Sequence, residues 1–119
     1  MKPVYQTTFG DDGNCLQACV ASLLEIDLES VPTVNPRCAA WVKTLEAFLA
    51  PYGLGMMWYT AGSHSYPHGY SIGMHEANGI YHATVYFEGR QVHDPLLGAD
   101  SQRAVTHWIV FTCLDPSLR

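Results

Sequence analysis

Three residues far apart in the sequence are of the types that together perform nucleophilic acyl transfer. Cys15 follows Gly13-Asn14 at the start of an apolar helical pattern, His82 opens an apolar strand-like run, and Asp94 comes just after the next such run. A thiol nucleophile needs a base that takes its proton, and that base needs a carboxylate to fix its tautomer and orientation. The residue types and their order predict Cys15 as nucleophile, His82 as base and Asp94 as the orienting carboxylate.

A helix is predicted to carry Cys15 at its N-terminus. Apolar residues recur there at intervals of three and four, and the stripe stops before Val31-Pro32; its members are Leu16, Cys19, Val20, Leu23 and Leu24. The pattern predicts a helix over about 14–26, whose dipole favours a thiolate at its first turn. A second helix is predicted from a similar stripe that ends near Gly53, formed by Ala40, Trp41, Leu45, Phe48 and Leu49.

The rest of the chain predicts a sheet. Short runs rich in aromatic and β-branched residues predict strands over 56–60, 69–74, 81–87, 91–93 and 106–114. Glu88-Gly89-Arg90 is a hairpin signal, which brings His82 near Asp94. Strand alternation points His93 to the face opposite Asp94, so it is a rival base only if the register slips. We therefore expect one α+β domain over 1–119, with a helix packed on an antiparallel sheet of four to six strands.

The composition and charge of the chain indicate which partners and which cellular location to expect. The chain has 119 residues, 48% of them hydrophobic, which suits one buried core. Its net charge of -5 and six dispersed Lys and Arg residues argue against nucleic acid and anionic membranes as partners. No signal-peptide core and no apolar run of roughly 20 residues is found, so we expect a cytoplasmic protein. In that compartment its four cysteines are expected to be free thiols.

A metal site built from histidines is disfavoured. His64, His68 and His75 lie in a stretch that reads as a loop, where Pro67 and Gly69 interrupt any regular ligand spacing. We expect a loop facing the substrate there. No metal and no organic cofactor is implied for the chain.

Three short motifs resemble those of the papain-like cysteine peptidase superfamily, in particular the small bacterial and phage proteins related to C39-type peptidases. The motifs are Gln6 with Gly13-Asn14-Cys15-Leu16-Gln17-Ala18-Cys19, then His82-Ala83-Thr84-Val85-Tyr86, and then Val92-His93-Asp94-Pro95. The resemblance implies a papain-like fold, in a bacterium or a phage-infected cell. It departs from the family at Leu16, where the usual residue is glycine.

The resemblance also implies how an oxyanion is stabilised. In this superfamily a glutamine ahead of the nucleophile and the backbone N–H of the cysteine donate hydrogen bonds to it. Gln6 matches by type and order, although it precedes Cys15 by nine positions, more than is usual in the family. The segment between them must fold back for Gln6 to serve, and Asn14 and Gln17 are the alternative donors.

The predicted function is hydrolysis of, or transfer at, a peptide or isopeptide-like amide through an acyl-thioester on Cys15. The expected partner is a peptide or protein substrate, and an exposed Trp58 is the expected wall for it. One alternative is a catalytically silent peptide-binding or inhibitor module on the same fold. Another is a cysteine amidase or acyltransferase that acts on a small molecule or a peptidoglycan stem, since the same triad serves both.

Overall fold

The computed structural model of the chain describes residues 1–9, 13–62, 65–77, 79–96 and 104–114. In these residues the chain forms helices α1 (Cys15–Leu24) and α2 (Trp41–Leu49) and then strands β1 (Leu54–Thr60), β2 (Tyr70–Ala77), β3 (Ile80–Phe87), β4 (Arg90–His93) and β5 (His107–Cys113). Short 3₁₀ turns lie at Leu28–Ser30 and Ala50–Tyr52. The predicted order of two helices followed by a sheet is confirmed.

The strands form one antiparallel sheet in the order β1-β5-β2-β3-β4. Glu88 and Gly89 join β3 to β4, and both have positive φ, 51° and 77°. A two-residue turn of this kind matches the right-handed twist of a hairpin. β2 is longer than predicted because its pairing with β3 continues past Met74 to Ala77.

Both helices pack on one face of the sheet, α1 against β3 and α2 against β1. The buried core on this face joins Leu16, Cys19, Val20, Leu45 and Leu49 of the helices to Leu54, Ile72, Ala83, Val85 and Ile109 of the strands. These strand positions alternate along each strand, as period-two side-chain placement requires. We call this the helix-bearing face.

The centre of the opposite face of the sheet is also buried. Its buried side chains include Ser71, His75, Thr84, Tyr86 and Trp108. Trp108 packs edge-on against Tyr86, with ring centroids 5.0 Å apart. Burial of both faces accounts for the apolar character of both sides of the central strands. Within the described residues, no helix has the length and apolar character needed to cross a bilayer.

Gly73 tests how tightly this second face is packed. A Cβ at Gly73 would overlap the ring of Tyr86, whereas a Cβ at Gly55 would approach only side-chain ends, with Thr112 Oγ1 at 3.0 Å. We expect Gly73→Ala to lower the free energy of unfolding by about 1–3 kcal/mol, because a packed aromatic ring must move. Gly55→Ala is the matched control in a neighbouring region of the sheet, and we expect a change within about 0.5 kcal/mol. Urea unfolding of both variants makes the comparison, and equal effects would contradict this account of the packing.

Candidate active site

The site forms where β3 extends beyond its partner. β4 pairs with β3 only at Val85, Tyr86 and Phe87, so the first half of β3 has no described strand on that side. The N-terminus of α1 fills this open edge. The Cys15 thiol donates to the carbonyl oxygen of Tyr81, with Sγ 3.8 Å from the oxygen.

The sulfur of Cys15 has a second backbone partner on the same edge. The N–H of Ala83 donates toward it. Tyr81 and Ala83 flank His82 in the sequence, so the thiol lies against the peptide groups on both sides of the predicted base.

His82 and Asp94 form a hydrogen-bonded pair. Nε2 of His82 lies 2.8 Å from Oδ1 of Asp94, and the two side chains are only 11% and 7% exposed. The same Oδ1 accepts the N–H of Leu96 at 2.9 Å, which fixes the carboxylate just after β4. Because a carboxylate only accepts, the His82 proton lies on Nε2 and Nδ1 carries the lone pair. Nδ1 makes no hydrogen bond to a residue in the described part of the chain.

Burial dominates the electrostatics of the Cys15 thiol. The residue is 8% exposed. Burial raises the pKa of the thiol, the backbone N–H groups of Ala83, Leu16 and Cys15 lower it, and the charge of Asp94 raises it further. The expected effect of the helix N-terminus is therefore present, but desolvation outweighs it. Burial therefore favours the neutral thiol of Cys15 over the thiolate.

A buried polar network lies beside the pair, on the face opposite the helices, to which His82 also belongs because it alternates with the core residue Ala83 along β3. His75 donates from Nδ1 to the carbonyl oxygen of Ala104 at 2.9 Å and accepts the Thr84 hydroxyl at Nε2, also at 2.9 Å. The hydroxyl of Tyr86 lies 3.5 Å from the same Nε2. The rings of His75 and His82 are 6.3 Å apart, since the two residues pair across β2 and β3.

The sequence interpretation of His75 as a loop residue is wrong. His75 lies inside β2 and is buried, whereas His68 is exposed and bonds to Glu88. His64 lies outside the described residues. The alternation of Ser71, Gly73 and His75 with Ile72 and Met74 was a strand signal that identifies the position of His75. Among the described residues, no three His, Cys, Asp or Glu side chains are grouped closely enough to hold a metal ion.

Gln6 lies beside the end of β4. Its backbone N–H donates to the carbonyl oxygen of Pro95 at 2.9 Å, directly after Asp94. Its side-chain Nε2 donates to the carbonyl oxygen of Thr8 at 3.0 Å. Its Oε1 is buried and has no hydrogen-bond partner among the described residues. Gln6 is therefore next to the His82–Asp94 pair, but its donor group is engaged.

Asn14 folds the chain back between Gln6 and Cys15. Its Oδ1 accepts the N–H groups of Thr7 and Thr8 at 2.9 and 3.0 Å, and its Nδ2 donates to Oγ1 of Thr7 at 2.9 Å. Gln17 donates from Nε2 to the carbonyl oxygen of Val31 at 3.4 Å. Both side-chain amides, predicted as alternative oxyanion donors, hold neighbouring loops in this structure.

Trp58 lies away from the thiol, on β1 at the opposite edge of the sheet. Its ring stacks on His107 at 4.5 Å and 14° and meets Trp41 edge-on at 4.9 Å. β5 and β2 separate it from β3.

His93 faces the helix-bearing side, where its Nε2 donates to the carbonyl oxygen of Val4 at 2.7 Å. The structure thus brings Cys15, His82, Asp94 and Gln6 to one region and leaves Trp58 and His93 outside it.

Comparison of the chain with protein-family models, with curated proteins and with solved structures finds no match in any of the three.

The buried thiols predict how stability depends on pH. Burial raises the pKa of Cys15, and it raises the pKa of the fully buried Cys19 further. The folded state holds these protons more tightly than the unfolded chain, so their contribution is fully present below about pH 8.5 and is lost as the pH rises through the folded pKa. Urea unfolding between about pH 7 and about pH 10 should show this decline.

Cys19→Ala should flatten that decline, because it removes one of the two buried protons. Cys38→Ala is the control, since its thiol is exposed, and the decline should remain as in the parent. An equal slope in Cys19→Ala and in the parent would contradict the assignment.

Proposed function

We propose that the chain is a papain-like thiol hydrolase that cleaves, or transfers at, a peptide or isopeptide-like amide bond through Cys15, His82 and Asp94. The observation that carries the proposal is the 2.8 Å bond between His82 Nε2 and Asp94 at the edge of β3 where the Cys15 thiol lies. That bond leaves the other ring nitrogen of His82 as a base. A base next to a thiol, oriented by a carboxylate, is the arrangement that nucleophilic catalysis requires.

The first chemical step consumes the thiol proton. Nδ1 of His82 takes the proton from Cys15 as the sulfur attacks the carbonyl carbon of the substrate, and the carbonyl oxygen becomes an oxyanion. The C–N bond then breaks, the leaving amine takes the proton from Nδ1, and the acyl group stays on sulfur as a thioester. Water or an amine next gives a proton to Nδ1 and attacks the thioester, and that proton returns to the Cys15 sulfur.

Backbone N–H groups at the start of α1 are the first donors to the oxyanion. Those of Cys15 and Leu16 already point toward the sulfur, and the N–H groups of a first helical turn have no partner within the helix. Gln6 is the proposed second donor. Its Nε2 must leave the carbonyl oxygen of Thr8 to serve, and its buried Oε1 has no hydrogen-bond partner among the described residues that would hold the amide in its present position.

The arrangement of the elements supports the papain-like assignment. A helix with the thiol at its N-terminus packs on an antiparallel sheet, the histidine lies on one strand, and the carboxylate follows the neighbouring strand. The chain order of Gln6, Cys15, His82 and Asp94 agrees with that of the superfamily the motifs resemble.

The second candidate is a peptide-binding module without turnover on the same fold. The burial of Cys15 and the raised pKa of its thiol favour this alternative, because a thiolate is the reactive form. The two candidates differ in whether His82 activates the thiol, which alkylation measures directly.

Alkylation of Cys15 by iodoacetamide should depend on His82. At about pH 7 we expect His82→Ala to slow the reaction of Cys15 by at least about tenfold, because the buried thiol loses its base. In that variant the rate should rise only at alkaline pH, since burial raises the pKa of the thiol. Peptide mapping by mass spectrometry reads each cysteine separately.

Cys38 and Cys113 are exposed and serve as internal references whose rates should not change. His68→Ala is the matched control, because it removes an exposed histidine that bonds to Glu88 in the β3–β4 turn and lies outside the site. An alkylation rate of Cys15 that is the same in the parent and in His82→Ala would contradict the enzyme proposal and favour the binding module.

A further inference from the structure

A row of aromatic side chains crosses the helix-bearing face at the end of the sheet where α1 and α2 begin. It consists of Tyr81 on β3, His107 on β5 and Trp58 on β1, and we call it the aromatic row. Ring centroids of Tyr81 and His107 are 6.4 Å apart, and those of His107 and Trp58 are 4.5 Å apart. The row therefore runs from β3 over β2 to β5 and β1, with one member on each of three of these strands.

The aromatic row begins at the candidate nucleophile. The carbonyl oxygen of Tyr81 accepts the Cys15 thiol, so the backbone of one end of the row is part of the site. Tyr81 lies two and four residues before the core residues Ala83 and Val85 on β3, and Trp58 lies four residues after Leu54 on β1. Side chains at such even spacings share one face of a strand, so both rings lie on the helix-bearing face.

Trp58, at the far end of the row, is exposed and packs against two neighbouring rings. Trp58 is 36% exposed. One side of its ring stacks on His107, whose Nδ1 bonds to Oγ1 of Thr106 at 3.0 Å, and its edge meets the buried Trp41. A large aromatic side chain that is held in place by its neighbours loses little entropy when it binds a partner, and tryptophan is enriched among residues that dominate binding.

We propose that the aromatic row binds the acyl portion of a peptide substrate and that Trp58 holds one large apolar side chain of that peptide; this inference rests on the proposed function. Neighbouring strands lie about 4.8 Å apart, so Trp58 and the thiol beyond β3 are separated by on the order of 15 Å. An extended peptide rises about 3.3 Å per residue, so the side chain at Trp58 lies roughly four or five residues from the bond that is broken.

The distance selects among substrate classes. An amide of one or two residues cannot reach Trp58, whereas an extended peptide spans the whole row. The acyl portion stays attached to Cys15 until the thioester breaks, so its contacts with the aromatic row raise kcat/KM for acylation. The inference therefore names a peptide, rather than a small-molecule amide, as the substrate class.

Peptidyl vinyl sulfones test the inference. A single phenylalanine is moved one residue at a time away from the warhead in a glycine-serine background, and the second-order rate of Cys15 alkylation is measured by mass spectrometry. We expect the rate to peak, by roughly tenfold, with phenylalanine about four or five residues from the warhead. Trp58→Ala should abolish the peak, and Trp58→Phe should keep part of it.

Tyr59→Ala is the matched control. Tyr59 is 38% exposed on the same strand but faces the other side of the sheet, so its loss should leave the peak unchanged. Thermal unfolding of each variant checks that it folds, and Trp58→Phe carries the test if Trp58→Ala does not.

The outcomes separate the two proposals. A flat series, or a peak that survives in Trp58→Ala, overturns the aromatic row while His82-dependent alkylation by iodoacetamide still supports the thiol hydrolase. Loss of that His82 dependence with the small reagent overturns the thiol hydrolase, and the inference built on it falls as well.

Discussion

The hydrogen bond between His82 and Asp94 depends on a difference in strand length. β4 ends at His93 while β3 continues back to Ile80, so the chain leaves the sheet at a point where Asp94 can turn toward the side chain of His82. The same early end of β4 opens the edge of β3 on which the Cys15 thiol lies. A longer β4 would pair with Tyr81 and Ala83 and displace the N-terminus of α1.

The buried carboxylate of Asp94 makes a second negative charge in its neighbourhood unfavourable. Burial is the main cause of the raised pKa of Cys15, Cys19 and Tyr86, and the charge of Asp94 adds to it in each case. A negative charge in a region of low dielectric opposes the formation of a second one nearby. In the proposed mechanism the Cys15 thiol therefore gives up its proton only as His82, bonded to Asp94, takes it. On that proposal His82 is the group that separates a reactive thiol from an inert one.

Most of the fold was predictable because its helices and its hairpin have local sequence patterns. The apolar stripes identify α1 and α2, the hairpin signal at Glu88-Gly89 identifies the β3–β4 turn, and these two facts already bring His82 near Asp94. The crossover that inserts β5 between β1 and β2 was not predictable, since pairing of distant strands leaves no local pattern.

The burial of two side chains in the site could not be predicted from local sequence patterns. His75 follows a stretch rich in turn residues, which hides its strand in the sequence, and only the pairing of β2 with β3 shows it to be buried beside Thr84. Burial of Cys15 likewise depends on packing against β3, and its effect on the pKa of the thiol opposes that of the helix N-terminus without leaving a local pattern in the sequence.

The measurement that tests the central claim most directly is intact-mass detection of an acyl group on Cys15 after rapid mixing with an activated peptide ester. The account predicts an adduct on Cys15 that forms and then decays in the parent, and that forms far more slowly in His82→Ala. Adducts confined to the exposed Cys38 and Cys113 would contradict it.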